Sequence, residues 1–308
     1  MKNQKKGFLQ ISFQWIFAII VGIVILFLAI YGVTRLINTG QRTQDIESSK
    51  EIEILLNPLE TGFEEAKSSF IEFDRSTRVY FTCDDFGEFG TQGIDLSQKS
   101  FGKWSERSNR VTFYNKYIFS ENPIESEKIN LFSKPFEFPF KIGDLIYVIS
   151  ENENYCFIDA PEDIQQEIGN LNMNNLLLKD CSDLGYTNVC FSGECDIEVN
   201  YNLGYVKKQE RFDFEGDALM YAAIFSSKST YECQVKRLMK RTANLAEIYK
   251  GKSNLIKSSG CNTFLNPDLE ILISSAKALE ESSDLHFIKG VVEDIDMKNK
   301  NNQLCRLW

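Results

Sequence analysis

The sequence predicts an α+β protein in four parts: an N-terminal transmembrane helix continuing into an amphipathic helix, an antiparallel β-rich head, and a C-terminal α-hairpin. Three observations carry this. Gly7 to Thr34 run without a single charge. Apolar residues in the middle of the chain recur at strand spacing between turn residues, and those in the last third recur at intervals of three and four. The implied boundaries are a basic segment at 1–10, a membrane helix at 11–37, a stalk helix at 38–75 and a head at 76–308.

The centre of the first helix, Ile16 to Ile30, is almost wholly apolar, and a helix needs about 20 such residues to cross a bilayer. The run is longer than the apolar core of a secretory signal, and Tyr31-Gly32-Val33-Thr34 is a poor cleavage site, so a retained anchor is expected. Lys2, Lys5 and Lys6 precede the span. Positive charge marks the cytoplasmic side, which puts the rest of the chain outside the cell membrane. After residue 37 the chain carries 30 basic against 44 acidic residues. So acidic a head disfavours nucleic acid and anionic lipid as partners and suits a soluble surface domain on a chain anchored in a lipid bilayer.

The stalk is expected from Ile52, Leu55, Leu59, Phe63, Ala66, Phe70 and Phe73, which form one helical stripe, with Asn57-Pro58 kinking or restarting it. In the head, strands are expected at 78–83, 110–119 and 132–140. Pro135 and Pro139 push the last of these to an edge. Leu145–Ile149 and Tyr155–Ile158 flank a polar turn and suggest a hairpin. Pro161 opens a short helix to about Asn170, with acids in its first turn. Strands and turns resume over 180–215, and Ala218–Phe225 is a short buried helix or strand. Val235, Leu238, Thr242, Leu245 and Tyr249 lie on one helix over about 230–257. Asn266-Pro267 starts another, and Ile288 to Ile295 continue after a break at Ser282-Ser283.

Lys5-Lys6-Gly7, then Gln10-Ile11-Ser12-Phe13-Gln14-Trp15 and a long apolar helix, resemble the leader of archaeal type IV pilin-like surface proteins. The resemblance is limited to the N-terminal helix and the segment after it. It implies removal of the basic leader by a prepilin peptidase, after Gly7 or just before Gln10, and assembly with other pilin-like subunits through the retained helix. The family places Gln directly after the Lys/Arg-Gly pair and an acid four residues later. Here Phe8-Leu9 intervene, and Gln14 stands at the acidic position. A plain signal-anchor is the other reading. The length of the chain suits a minor or tip-like subunit acting in assembly or adhesion.

Eight cysteines, Cys83, Cys156, Cys181, Cys190, Cys195, Cys233, Cys261 and Cys305, all follow the apolar segment. An even number confined there predicts disulfides in an oxidising compartment. A helix over 232–258 is about 40 Å long, which separates Cys233 from Cys261. The expected pairs are Cys233 with Cys305, Cys83 with Cys156, Cys190 with Cys195 across a tight turn, and Cys181 with Cys261. The spacing lacks the C-x2-C of zinc sites, so no metal is expected.

No catalytic or cofactor motif is present. His286 is the lone histidine, and an ordinary partly buried or capping role is expected for it. Ser100-x2-Lys103 and Ser274-x2-Lys277 match S-x-x-K without its companions. Gly87-x2-Gly90-x2-Gly93 reads as a turn. Asp84-Asp85-x2-Glu88 and Asp213-x-Glu215-x-Asp217 are acidic loops, the second with oxygens that a calcium ion could use. Phe132, Phe136, Phe138 and Phe140 are a strand face of the core or else a binding face. The expectation is a non-enzymatic, membrane-anchored surface protein. A signal-anchored receptor domain and an ectoenzyme using paired carboxylates are the alternatives.

Overall fold

The computed structural model describes residues 15–35, 67–178 and 185–308. The chain divides into two compact units, split after Glu47. In the first unit α1, Trp15–Arg35, is 21 residues long, apolar and unburied along its length. At 1.5 Å per residue it spans about 31 Å, the thickness of a bilayer's hydrocarbon core.

The second unit is α+β. Its first sheet contains β1 (Lys67–Asp84), β2 (Thr91–Ser100), β3 (Lys103–Trp104), β4 (Val111–Phe113), β5 (Tyr117–Phe119), β6 (Ile124–Glu137) and β7 (Lys141–Ser150). The order is β3-β2-β1-β6-β7-β5, with β4 also on β2. All pairings are antiparallel except β5 with β7. Strand β7 shows why the order holds. Leu145, Tyr147 and Ile149 face one core, Ile146 and Val148 the other, and all five are buried. The second of these cores is built from strands of this sheet alone.

Residues 67–75 are strand where a stalk helix was expected. The helical stripe counted Phe70 and Phe73 but passed over Ile71. In the structure Ile71 and Phe73 are buried and Phe70 is exposed, a period of two. The remainder of the expected stalk, 38–66, lies outside the described residues.

The second sheet has the order β13-β12-β11-β10-β8-β9. Its strands are β8 (Asn154–Ile158), β9 (Leu176–Leu178), β10 (Tyr186–Cys190), β11 (Ile197–Asn200), β12 (Tyr205–Lys207) and β13 (Arg211–Asp213). Strand β8 lies between β9 and β10, parallel to both. The expected hairpin of β7 with β8 therefore does not form: the polar turn between them carries the chain from one sheet to the other. The head is mixed rather than purely antiparallel.

Helix α2, Glu162–Leu171, follows Pro161 as expected. Helix α3, Gly216–Phe225, has every residue from Ala218 onward buried. A helix apolar on all sides must lie inside the fold, and α3 packs on β6, β7 and β12. The Tyr147 hydroxyl donates to the Ala218 carbonyl at 2.7 Å. Phe132, Phe136, Phe138 and Phe140 all join this core, so they are packing residues.

Three antiparallel helices close the molecule: α4 (Lys228–Lys257), α5 (Asn266–Ala278) and α6 (Leu285–Asn301). Ser227 caps α4 by accepting from the Thr230 amide, and Pro267 sits in the first turn of α5. Lys277–Glu247 and Lys298–Asp268 pairs run between them. The third helix corrects a disulfide. It reverses the chain once more, so Cys305 ends beside Cys261, at the far end of α4 from Cys233.

Candidate functional site

Three disulfides are described, and their geometry sets what the head can do. Cys83 of β1 is bonded to Cys233 of α4 across 150 residues, Cys261 to Cys305, and Cys190 to Cys195. The expected Cys83–Cys156, Cys233–Cys305 and Cys181–Cys261 pairs are thus replaced. Cys156 lies in β8 of the second sheet and is itself disulfide-bonded, while Cys83 is taken by Cys233. Cys181 lies outside the described residues, as do the leader candidates Lys6, Gly7 and Gln10.

A cleft of about 560 Å³ opens in the head between the β11–β12 turn, Arg211 of β13, the start of α3 and the start of α6. Strand β13 ends at Asp213, and Gly216 takes a left-handed φ of 73° to turn the chain into α3, leaving Glu215 at the helix entrance. The following helix α6 brings His286 and Lys289 to the same place. The His286 ring nitrogens lie 3.0 Å from Glu215 Oε1 and 3.1 Å from Asp213 Oδ1. Asp213 also accepts from Arg211, at 2.6 Å, and Glu215 from Lys289, at 2.9 Å. The Glu215 hydrogen bond raises the Lys289 ammonium above its ordinary pKa. On the facing wall the Tyr201 hydroxyl donates to Asp217 at 2.7 Å, and burial together with that acceptor pushes its pKa up.

The sequence singled out both His286 and the Asp213/Glu215/Asp217 group but had no means of joining positions 70 residues apart. Their union decides the chemistry. Asp213 and Glu215 are nearly buried; each pairs with one cation, Arg211 or Lys289, and they share His286 between them. Among the described residues no three His, Cys, Asp or Glu side chains converge as a metal needs. Both ring nitrogens of His286 face carboxylates, one of Glu215 and one of Asp213. The cluster ties the end of β13, the entrance of α3 and the start of α6 together.

The other sequence candidates serve structure. In the loop after β1, Asp84 accepts from the Phe86 amide at 2.8 Å, and Lys240 of α4 holds the carbonyls of Asp85 and Gly87. Gly90, at φ 60°, lies so close to the Asp84 carbonyl and to Arg237 Cγ that no Cβ fits. Ser274 bonds back to the Glu270 and Ile271 carbonyls while Lys277 pairs with Glu247, so these two do not form a dyad.

Arg237 was not singled out by sequence. It is fully buried, and its guanidinium donates to the carbonyls of Phe89 at 3.2 Å, Lys116 at 2.8 Å and Tyr114 at 3.0 Å, and to Gln234 at 2.7 Å. Burial lowers its pKa. Cys233, Gln234, Arg237 and Lys240 recur at helical spacing on α4, so one face of that helix fastens the β1–β2 loop and the approach to β5. Comparison with known protein families, characterised proteins and solved structures finds no match for this chain.

Proposed function

We propose that the chain is a single-pass, membrane-anchored surface protein whose disulfide-bonded head works by contact outside the cytoplasm, without catalysis of its own. The observation that carries this reading is the coexistence of α1, long and apolar enough to cross a bilayer, with disulfides placed only after it. Disulfides persist where the compartment is oxidising, and the lysines before α1 favour a cytoplasmic N-terminus. The non-catalytic part rests on the cleft, where the histidine and both nearly buried carboxylates are engaged with one another.

A second, narrower reading is a minor pilin-like subunit, favoured by Lys6-Gly7 and Gln10 ahead of the apolar helix. In this reading a prepilin peptidase removes the leader and α1 packs against other subunits. Because β1 begins at Lys67, any helix supporting the head ends before that residue.

The intact mass and N-terminal sequence of the mature protein, taken from membranes washed with alkaline carbonate, test both. Retention in the washed membrane with an N-terminus near Met1 supports the anchor alone. Retention with loss of a leader ending at Gly7 or Leu9 supports the pilin-like form. Cleavage after α1, with the head released, sinks both.

A further inference from the structure

We propose that the hairpin tip Lys99–Trp104 docks on a lipid bilayer carrying anionic headgroups, so that the head rests on the membrane that anchors it. This rests on the anchored reading above. Lys99 pairs with Trp104 and Ser100 with Lys103, leaving Phe101-Gly102 as a two-residue turn. Both turn residues have positive φ, 48° and 77°. Turns of this type select Gly, Asn or Asp, because a side chain at positive φ is strained. Phenylalanine at this position is therefore unfavourable for the fold. It is also 94% exposed, so it gains nothing from packing. A strained, fully displayed aromatic calls for a use outside the fold.

The surroundings identify that use. Lys99 and Lys103 flank the turn, and the tip Lys99–Trp104 carries no acid, although the head as a whole is strongly acidic. Trp104 is held in place with the Arg78 guanidinium 4.0 Å and the Lys99 ammonium 5.5 Å from its ring centre. Glu125 is taken by Arg78. Aromatic rings beside lysines are the composition of membrane interfaces: the ring enters the headgroup boundary while the ammonium groups meet phosphate. Arg75 of β1 reaches Ser100 at 3.5 Å. An anchored chain keeps the head at high effective concentration near lipid, so a weak contact suffices.

The test is photo-crosslinking of the full chain reconstituted in vesicles of phosphatidylcholine with or without phosphatidylglycerol. Phe101→p-benzoylphenylalanine is compared with the same change at Phe86, which is 88% exposed on the β1–β2 turn, at the opposite end of the same strands. The expected result is a several-fold excess of lipid adducts at position 101, larger with phosphatidylglycerol and lost in K99E/K103E. Absence of lipid adducts at 101, equal yields at 101 and 86, or adducts at 101 to protein alone would each overturn the proposal. Carbonate washing of the same vesicles reports separately on the anchor. If the chain washes off, the anchored reading fails, and adducts formed at 101 by the chain added to vesicles from outside still decide whether the tip meets lipid.

Discussion

At the scale of single residues, Arg237 is the most consequential side chain of the head. Burying a guanidinium is costly, and exchanging a buried ion pair for apolar groups is often neutral. Here the partners are backbone carbonyls of Phe89, Tyr114 and Lys116, which no substitution at 237 removes. Arg237→Met strands them, at about 1–3 kcal/mol for each buried group left without a partner. We expect a loss of at least about 3 kcal/mol, read from denaturant unfolding of the chain in detergent. An unchanged midpoint would show that water replaces the guanidinium. Glu153 argues the opposite way. Burial, then the nearby Glu121, raise its pKa, so its charge is less favourable in the folded state than in the unfolded one. That penalty is fully present above the folded pKa and vanishes once pH falls below the ordinary carboxylate range, about 4. Glu153→Gln should therefore raise the melting temperature at pH 7, with the gain shrinking as acid is added. A gain that persisted at pH 3 would refute this origin.

At the scale of elements, legibility in the sequence followed how local the signal was. Helix α4 has its Ser227 cap, α2 and α5 begin at a proline, all three carry apolar stripes, and they lie where the sequence signals placed them. Strand β1 was misread because Phe70, Ile71 and Phe73 satisfy a helical stripe and a strand face alike, and only pairing with β6 selects the second. The switch of β8 into another sheet is likewise non-local, because the turn at 151–153 has the composition of a hairpin. The candidate site was legible as parts only: His286 and the acids stood out, but their contact depends on the third helix reversing the chain. The same helix geometry sets the disulfides, whose contributions should scale with the loops they close. In the loop-entropy picture Cys83–Cys233 is worth about 5 kcal/mol, Cys261–Cys305 about 4 and Cys190–Cys195 about 2. C83S/C233S should thus lower the melting temperature most and C190S/C195S least. The reverse order would mean that the β1–β2 loop is held by Arg237, Gln234 and Lys240 without its covalent link.

At the scale of the whole molecule, the question is which side of the membrane holds the head. Charge placement and disulfides answer independently. The lysines before α1 follow the positive-inside tendency, while the bonded cysteines follow the redox state of the compartment. Two unrelated constraints agreeing on one orientation make a sharper prediction than either alone. Intact cells treated with a membrane-impermeant phosphine, then with a membrane-impermeant maleimide, should label the head. Cells given the maleimide without reduction should not, because among the described residues no cysteine is free. Cys261 and Cys305 are both partly buried beside exposed residues, and Cys195 is partly buried in an exposed turn, whereas the Cys83–Cys233 bond lies between β1 and α4. C261S/C305S combined with C190S/C195S should therefore remove most of the early label. Labelling that required lysis would place the head in the cytoplasm, where glutathione opposes the disulfides. The lysines would then be read against their usual side, and contact outside the cell would lose both of its physical supports together.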